Sequence, residues 1–284
     1  MTIRELLSEG LAKLKQAKVS EPELSARYLL EHVLQLSHIE MQLSLDKDIT
    51  ASQADDFYDL INKRCQSVPV QYLIGEVEFY DLKLKVDTRV LIPRPETEEL
   101  VDYLLKEIKD ISGLRLLDIG AGSGNIAIAL ATNLREASVT TVDISSEALE
   151  LARENAALNN VADKINFICD DVFSDNFWAK QEPFDIIISN PPYVDSAEFD
   201  DLQPEVRLYE PQIALVSPGD VLAFYKAISS RAKSALKKGG LLYFEIGMGQ
   251  SSEIKNIIES NLPDANVEIV NDMAGKDRIV IARV

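Results

Sequence analysis

From residue 114 to the C-terminus, short β-favouring apolar runs alternate with stretches of helical periodicity, and this rhythm constrains the fold more than any single motif. Strands are predicted at 114–120, 137–144, 164–170, 184–190, 240–247, 266–270 and 277–284, with helices at about 124–134, 146–158, 219–237 and 250–261. Strand–helix–strand repetition predicts an open, mostly parallel sheet covered by helices on both faces. The last two runs are joined only by NDMAGKD. That link is too short for a parallel crossover, so the seventh strand is expected to run antiparallel.

The first seventy residues follow a different period. Ile3, Leu6, Leu7, Leu11 and Leu14 share one helical face, and a second apolar face comprises Leu29, Leu30, Val33 and Leu34. Ser20-Glu21-Pro22-Glu23 and Thr50-Ala51-Ser52-Gln53 read as capping boxes that open helices, the latter presenting Phe57, Leu60 and Ile61. Alternation in VEFYDLKLKV then marks a β-hairpin turning at Tyr80-Asp81. Pro93 and Pro95 interrupt the chain before a helix expected to start at Glu96 or Thr97, with Leu100, Val101, Leu104 and Leu105 on its apolar face. The expected organisation is a helical bundle at 1–72 serving partner recognition, a hairpin connector at 73–92 and an α/β domain at 93–284.

Composition removes several classes of function. The net charge of −18 argues against broad binding to a phosphate backbone, where basic residues must replace counterions. Two cysteines far apart and two histidines, His32 and His38, offer no metal cluster and no disulfide framework, which fits a reducing cytoplasm. No run reaches the roughly 18–20 apolar residues that span a bilayer, and the N-terminus has no apolar signal-peptide core.

The first strand of the α/β region ends in DIGAGSGN. Gly120, Gly122 and Gly124, with Ala121 and Ser123 between them, form a strand-to-helix turn where a ligand can approach the backbone. Nineteen residues after Gly124, Asp143 ends the second strand, where a carboxylate can accept from both hydroxyls of a ribose. Asp171, after the third strand, could accept from an adenine amino group while the Val172 N–H reaches a ring nitrogen. The spacing is G-x-G-x-G rather than a dinucleotide fingerprint, and no phosphate-binding G-x-x-x-x-G-K-[ST] occurs. This assembly resembles the class I S-adenosylmethionine-dependent methyltransferases over residues 95–284, which implies a Rossmann-like seven-stranded sheet with its last strand antiparallel.

The fourth strand ends in FDIIISNPPY. Two prolines stiffen the tip, leaving the Asn190 side-chain oxygen and the Pro191 carbonyl as acceptors able to grip both hydrogens of a planar –NH₂ group. The Tyr193 ring can then lie against that group. An amide nitrogen held this way recovers electron density and needs orientation more than a strong base. The Asn190-Pro191-Pro192-Tyr193 motif resembles those of enzymes acting on glutamine, adenine or cytosine nitrogens.

Across the chain, PVQYLIGEVEFYDLKLKVDTRVLIPRPETEELV, NPPYV, VRLYEPQIAL and AGKDRIV resemble the HemK/PrmC family of peptide chain release factor glutamine methyltransferases. The resemblance implies methylation of the glutamine amide in a Gly-Gly-Gln motif of release factors, with S-adenosyl-L-homocysteine as product and no metal. It also implies that residues 120–124, Asp143 and Asn190 bind the cofactor and that Asn190, Pro191, Pro192 and Tyr193 hold the substrate. Val172 stands where relatives carry an aromatic residue, Leu91 and Arg94 are candidate pocket neighbours, and the 191–218 loop with Tyr209 and Pro211 is expected to shape the entrance. Alternative readings are an adenine amino-methyltransferase on nucleic acid, a glutamine methyltransferase of a ribosomal protein, and a non-enzymatic cofactor-binding scaffold. Direct nucleic-acid or membrane binding is not expected.

Overall fold

A computed structural model of the chain describes residues 1–217 and 219–284. The chain divides into two units, Met1–Glu76 with Leu202–Tyr209, and Val77–Asp201 with Glu210–Val284.

The first unit contains α1 (Ile3–Gln16), α2 (Pro22–Leu34), α3 (His38–Gln42), α4 (Ala51–Arg64) and α5 (Val70–Ile74). Leu6, Leu14, Leu29, Leu30, Phe57 and Ile61 are removed from solvent in its core. Capping boxes at Thr2, Ser37 and Thr50 satisfy N–H groups that the first turns of α1, α3 and α4 leave free. The box expected at Ser20 does not form: Glu21 is left-handed at the start of α2 and makes no side-chain cap. Ser20 instead hydrogen-bonds Glu205, whose carboxylate pairs at 2.6 Å with the buried Arg64 guanidinium. Arg64 also donates to the Ser25 hydroxyl and the Val68 carbonyl, so its charge and most of its donors are matched.

The second unit opens with the hairpin β1 (Glu76–Phe79) and β2 (Leu82–Lys85), whose two-residue turn has positive φ at both Tyr80 and Asp81. It continues through α6 (Pro95–Ile108), β3 (Arg115–Ile119), α7 (Asn125–Asn133), β4 (Ser138–Asp143), α8 (Ser146–Leu158), β5 (Ile165–Cys169), α9 (Asp175–Trp178) and β6 (Phe184–Ser189). The chain then contributes α10 (Pro204–Tyr209) to the first unit and returns as α11 (Ala223–Ala235), β7 (Leu236–Glu245), α12 (Ser251–Asn261), β8 (Asn266–Asn271) and β9 (Asp277–Arg283). Pro95 takes the first helical position of α6, slightly earlier than expected, where its missing N–H costs nothing.

The seven-stranded sheet has the order β5-β4-β3-β6-β7-β9-β8. All neighbours are parallel except β9, which is antiparallel to both β7 and β8, as the short NDMAGKD link requires. Alternate residues of each strand enter different layers: Leu116 packs with α6 and α7, and Leu117 with α11 and α12. β7 starts at Leu236, earlier than the sequence pattern indicates, because Leu236 pairs with Phe184 before a register shift. The Gly239 N–H, at a positive φ, then bonds the Val284 carbonyl at 2.8 Å, so a Lys-Lys-Gly-Gly stretch that reads as a helix end is drawn into the sheet.

Chain order reverses at β3 and β6. β3 leads outward to β4 and β5 on one side, and β6 leads to β7 on the other. Open α/β sheets bind ligands beyond the carboxyl ends of strands at such a reversal.

Candidate active site

The register Ile119↔Ser189 places the glycine loop after β3 beside the Asn-Pro-Pro-Tyr tip after β6. The Ser189 hydroxyl ties the two strand ends by donating to the Ile119 carbonyl at 2.7 Å. In the loop, the Gly120 and Ala121 N–H groups both bond the Val142 carbonyl, while the Gly122 N–H turns to Asp143 Oδ2 at 3.0 Å. Gly124, at φ 82°, starts α7 so close to α8 that a Cβ would stand 3.1 Å from the Cβ of Ala152. A side chain there would drive the loop and α7 away from α8.

A cavity of about 390 Å³ opens over these strand ends. That is within the size range of small-molecule sites. Gly120, Gly122, Ser123, Asp143, Asp171, Val172, Asn190 and Pro192 line it, as do Leu91, Arg94 and Pro211. Ala121 and Gly124 lie beneath the lining, and Pro191 and Tyr193 are not part of it. The Tyr193 ring packs instead against the apolar layer containing Phe244 and Tyr225. Burial first, then the nearby Glu245 charge, pushes its phenol up to about 12, so it is neutral at ordinary pH. Gln250 holds the Tyr193 carbonyl at 3.0 Å and receives the Gly247 N–H, bracing the tip from the α12 side. Tyr209 is not among the lining residues; within the first unit its hydroxyl donates to the Gln66 carbonyl. Pro218, the last residue of the expected entrance loop, lies outside the described residues.

Asp143 already receives the N–H groups of Gly122 and Ser145, which fix both carboxylate oxygens at the cavity wall. Burial raises its pKa, and those backbone donors pull in the opposite direction. Beneath it, Asp118 is fully buried and is pushed up to about 7, mainly by burial and further by the Asp143 charge, against a hydrogen bond from Thr141. Asp171 Oδ1 accepts the Phe173 N–H, and the Val172 carbonyl accepts the Trp178 indole N–H, so the segment after β5 is held on both sides.

Several site residues were not singled out by sequence reasoning. Phe173 and Phe224 line the cavity with ring centroids 4.8 Å apart and supply an aromatic wall that Val172 lacks. Phe173 adjoins the Asp-Asp-Val run and was reachable by extending it one residue; Phe224, on α11, carried no local signal. Asn155 on α8 is buried and donates to the carbonyls of Ser123 and Lys85 while accepting the Lys85 N–H, joining the glycine loop to the hairpin. Glu210 accepts the Ile92 N–H and pairs with Arg94 at 2.6 Å, so the 210–217 wall is clasped to the segment before α6. Thr97 donates to the buried Glu245 and accepts from the Asn190 amide, a chain of contacts spanning three distant sequence regions.

Residues 5–75 match the PrmC N-terminal domain family, and residues 97–221 match the methyltransferase small domain family. A release factor glutamine methyltransferase of Chlorobaculum tepidum is 40% identical over 284 residues, covering 98% of this chain and 95% of the relative. The chain belongs to the release factor glutamine methyltransferase family. Another member, from Deinococcus radiodurans, is 36% identical and is covered over 99% of its length. The hMettl16 catalytic domain superposes with a TM-score of 0.56 at 15% identity, covering 72% of this chain and 76% of that one, which expresses the shared class I methyltransferase fold. No helix among the described residues is long and apolar enough to cross a membrane.

Proposed function

We propose that the enzyme transfers a methyl group from S-adenosyl-L-methionine to the side-chain amide nitrogen of the glutamine in the Gly-Gly-Gln motif of peptide chain release factors. One observation carries this reading beyond family membership. Neither Asn190 Oδ1 nor the Pro191 carbonyl accepts a hydrogen bond among the described residues, although the opposite end of the Asn190 amide is tied down. Acceptors without a partner in the fold remain available to donors on a bound molecule. Two left open on a rigid tip suit the paired hydrogens of a carboxamide.

The cradle fits the adenosyl group. Positive-φ glycines expose backbone, Asp143 presents a fixed carboxylate for ribose hydroxyls, and Asp171 and Val172 sit at the adenine end beside Phe173. When bound, S-adenosylmethionine supplies an electrophilic methyl on a sulfonium sulfur. The chain's own contribution is alignment: Asn190 and Pro191 accept the two N–H groups, turn the nitrogen lone pair toward the methyl, and hold it for in-line attack. With the cofactor bound there, its C–S bond would break as the N–C bond forms, and the amide nitrogen would lose one N–H proton to solvent. Tyr193, neutral and half-buried, takes no proton in this scheme. The helical unit contributes no cavity residue and exposes Ile39 and Leu43, which supports a role in recognising the protein substrate. The charge of −18 supports a protein over a nucleic acid acceptor.

Asn190→Ala tests the reading. Methyl transfer to a release factor, followed by mass spectrometry of the Gly-Gly-Gln peptide, is expected to fall by about 100- to 1,000-fold. Cofactor affinity is expected to change only a few-fold. Wild-type turnover by the variant refutes the role of the tip.

A further inference from the structure

The Asn190 carboxamide can present either its oxygen or its –NH₂ to the cavity, and only the first orientation can accept a substrate N–H. Its Nδ2 donates to Thr97 Oγ1 at 3.0 Å, and Thr97 Oγ1 lies 2.7 Å from Glu245 Oε2. Thr97 and Glu245 are each 1% exposed, so water does not compete for these bonds. The three residues come from the β6 tip, the first turn of α6 and the end of β7.

The polarity of this chain follows from its last member. A carboxylate has no proton to give, so the Thr97 hydroxyl must donate to Glu245. The Thr97 oxygen then offers only lone pairs to Asn190, and only the –NH₂ end of the amide can answer. Oδ1 is thereby turned away from Thr97 and left open. With Glu245 protonated, its O–H can donate to Thr97, the Thr97 proton can point at Asn190, and the amide is free to reverse. A reversed amide would set –NH₂ against the –NH₂ of the substrate.

We propose that Thr97 and Glu245 are positioning residues whose hydrogen-bond relay fixes which end of the Asn190 carboxamide faces the substrate glutamine. This rests on the reading that Asn190 receives that glutamine amide. Around Glu245 stand Arg278 on β9, Arg94 and Glu96 at the start of α6, Tyr193 after β6 and Tyr225 on α11. Burial raises Glu245 to about 7, with the Thr97 hydrogen bond, Arg278 and Arg94 opposing and Glu96 reinforcing the rise. The relay therefore loses its polarity as the pH drops below neutrality.

Full-length wild type, Thr97→Val, Thr97→Ser, Glu245→Gln and Asn190→Ala are compared on a release factor substrate, with kcat, KM for each substrate, cofactor Kd and the pH profile of kcat measured for each. Thr97→Val and Glu245→Gln are expected to lower kcat by about 10- to 100-fold, as for other residues that orient a functional group. The cofactor Kd should stay within a few-fold, and Thr97→Ser should restore most of kcat. The acid limb of the wild-type profile near neutrality should disappear in Glu245→Gln, since an amide does not titrate there. If Asn190→Ala is inactive while Thr97→Val keeps wild-type kcat, the relay is refuted and the proposed function stands. An unchanged acid limb in Glu245→Gln also overturns the relay. Should Glu245→Gln fail to fold, the Val and Ser pair at Thr97 decides alone. Wild-type kcat in Asn190→Ala instead refutes the underlying reading of the tip.

Discussion

Alanine at Gly122 and alanine at Gly124 impose similar backbone strain but different packing, and the contrast separates the two tasks of the glycine loop. Both residues are left-handed, at φ 51° and 82°. Holding an L-residue there costs about 1–2 kcal/mol. At Gly124 the new Cβ would also lie 3.0 Å from Ile128 Cδ1, 3.1 Å from Ala152 Cβ and 3.3 Å from Ala152 Cα. The last is helix backbone and cannot give way cheaply, so overpacking adds about 1–3 kcal/mol. Gly124→Ala is therefore expected to lose about 3 kcal/mol in total, a drop in Tm of roughly 2–4 °C per kcal/mol for a unit of this size. At Gly122 no atom lies within 4 Å of the new Cβ, so only the strain remains, but the methyl stands in the cavity wall. Gly122→Ala is expected to lose about 1 kcal/mol of stability and at least about tenfold in cofactor affinity. Thermal and urea unfolding measure the first quantity, and calorimetric titration with S-adenosylmethionine measures the second. Equal destabilisation by the two variants, or undiminished cofactor affinity in Gly122→Ala, would refute this division of roles.

Two further outcomes are expected. Asp118 titrates near 7 when folded against an ordinary 3.8, so the native state binds the extra proton between those values and stability falls as pH rises through that window, by about 4 kcal/mol for this group alone. In Asp118→Asn this decline should vanish: the stability gain over wild type, from urea midpoints at successive pH, should grow from pH 4 to 7 and level off above, and parallel curves would contradict the assignment. Asn155→Ala leaves the Lys85 N–H and the Ser123 carbonyl without their buried partner, at a cost of about 2–3 kcal/mol. Cofactor affinity should fall with it because the loop loses its brace, and unchanged unfolding and binding would dismiss that role.

Much of the architecture was legible because it depends on periodicity and local backbone rules. Alternation of strand and helix patterns indicated the sheet, the brevity of NDMAGKD the antiparallel β9, and glycine spacing the turn that lines the cavity. Local competition misled at Ser20, whose capping pattern was overridden by Arg64 and Glu205, residues far away in sequence. It misled again at residues 236–239, where pairing with Phe184 and Val284 outweighed a helical pattern.

Residue order alone sets which chemical groups the chain offers: flexible backbone after β3, carboxylates at successive strand ends and a proline-stiffened amide after β6. Tertiary structure alone decided how they are oriented. The packing of Tyr193, the joining of the glycine loop to the hairpin through Asn155, and the Thr97–Glu245 chain behind Asn190 depend on side chains brought together from 57 to 148 residues apart. Period and propensity report only near neighbours along the chain, whereas the direction of a buried hydrogen bond is set by whichever group the fold places opposite it.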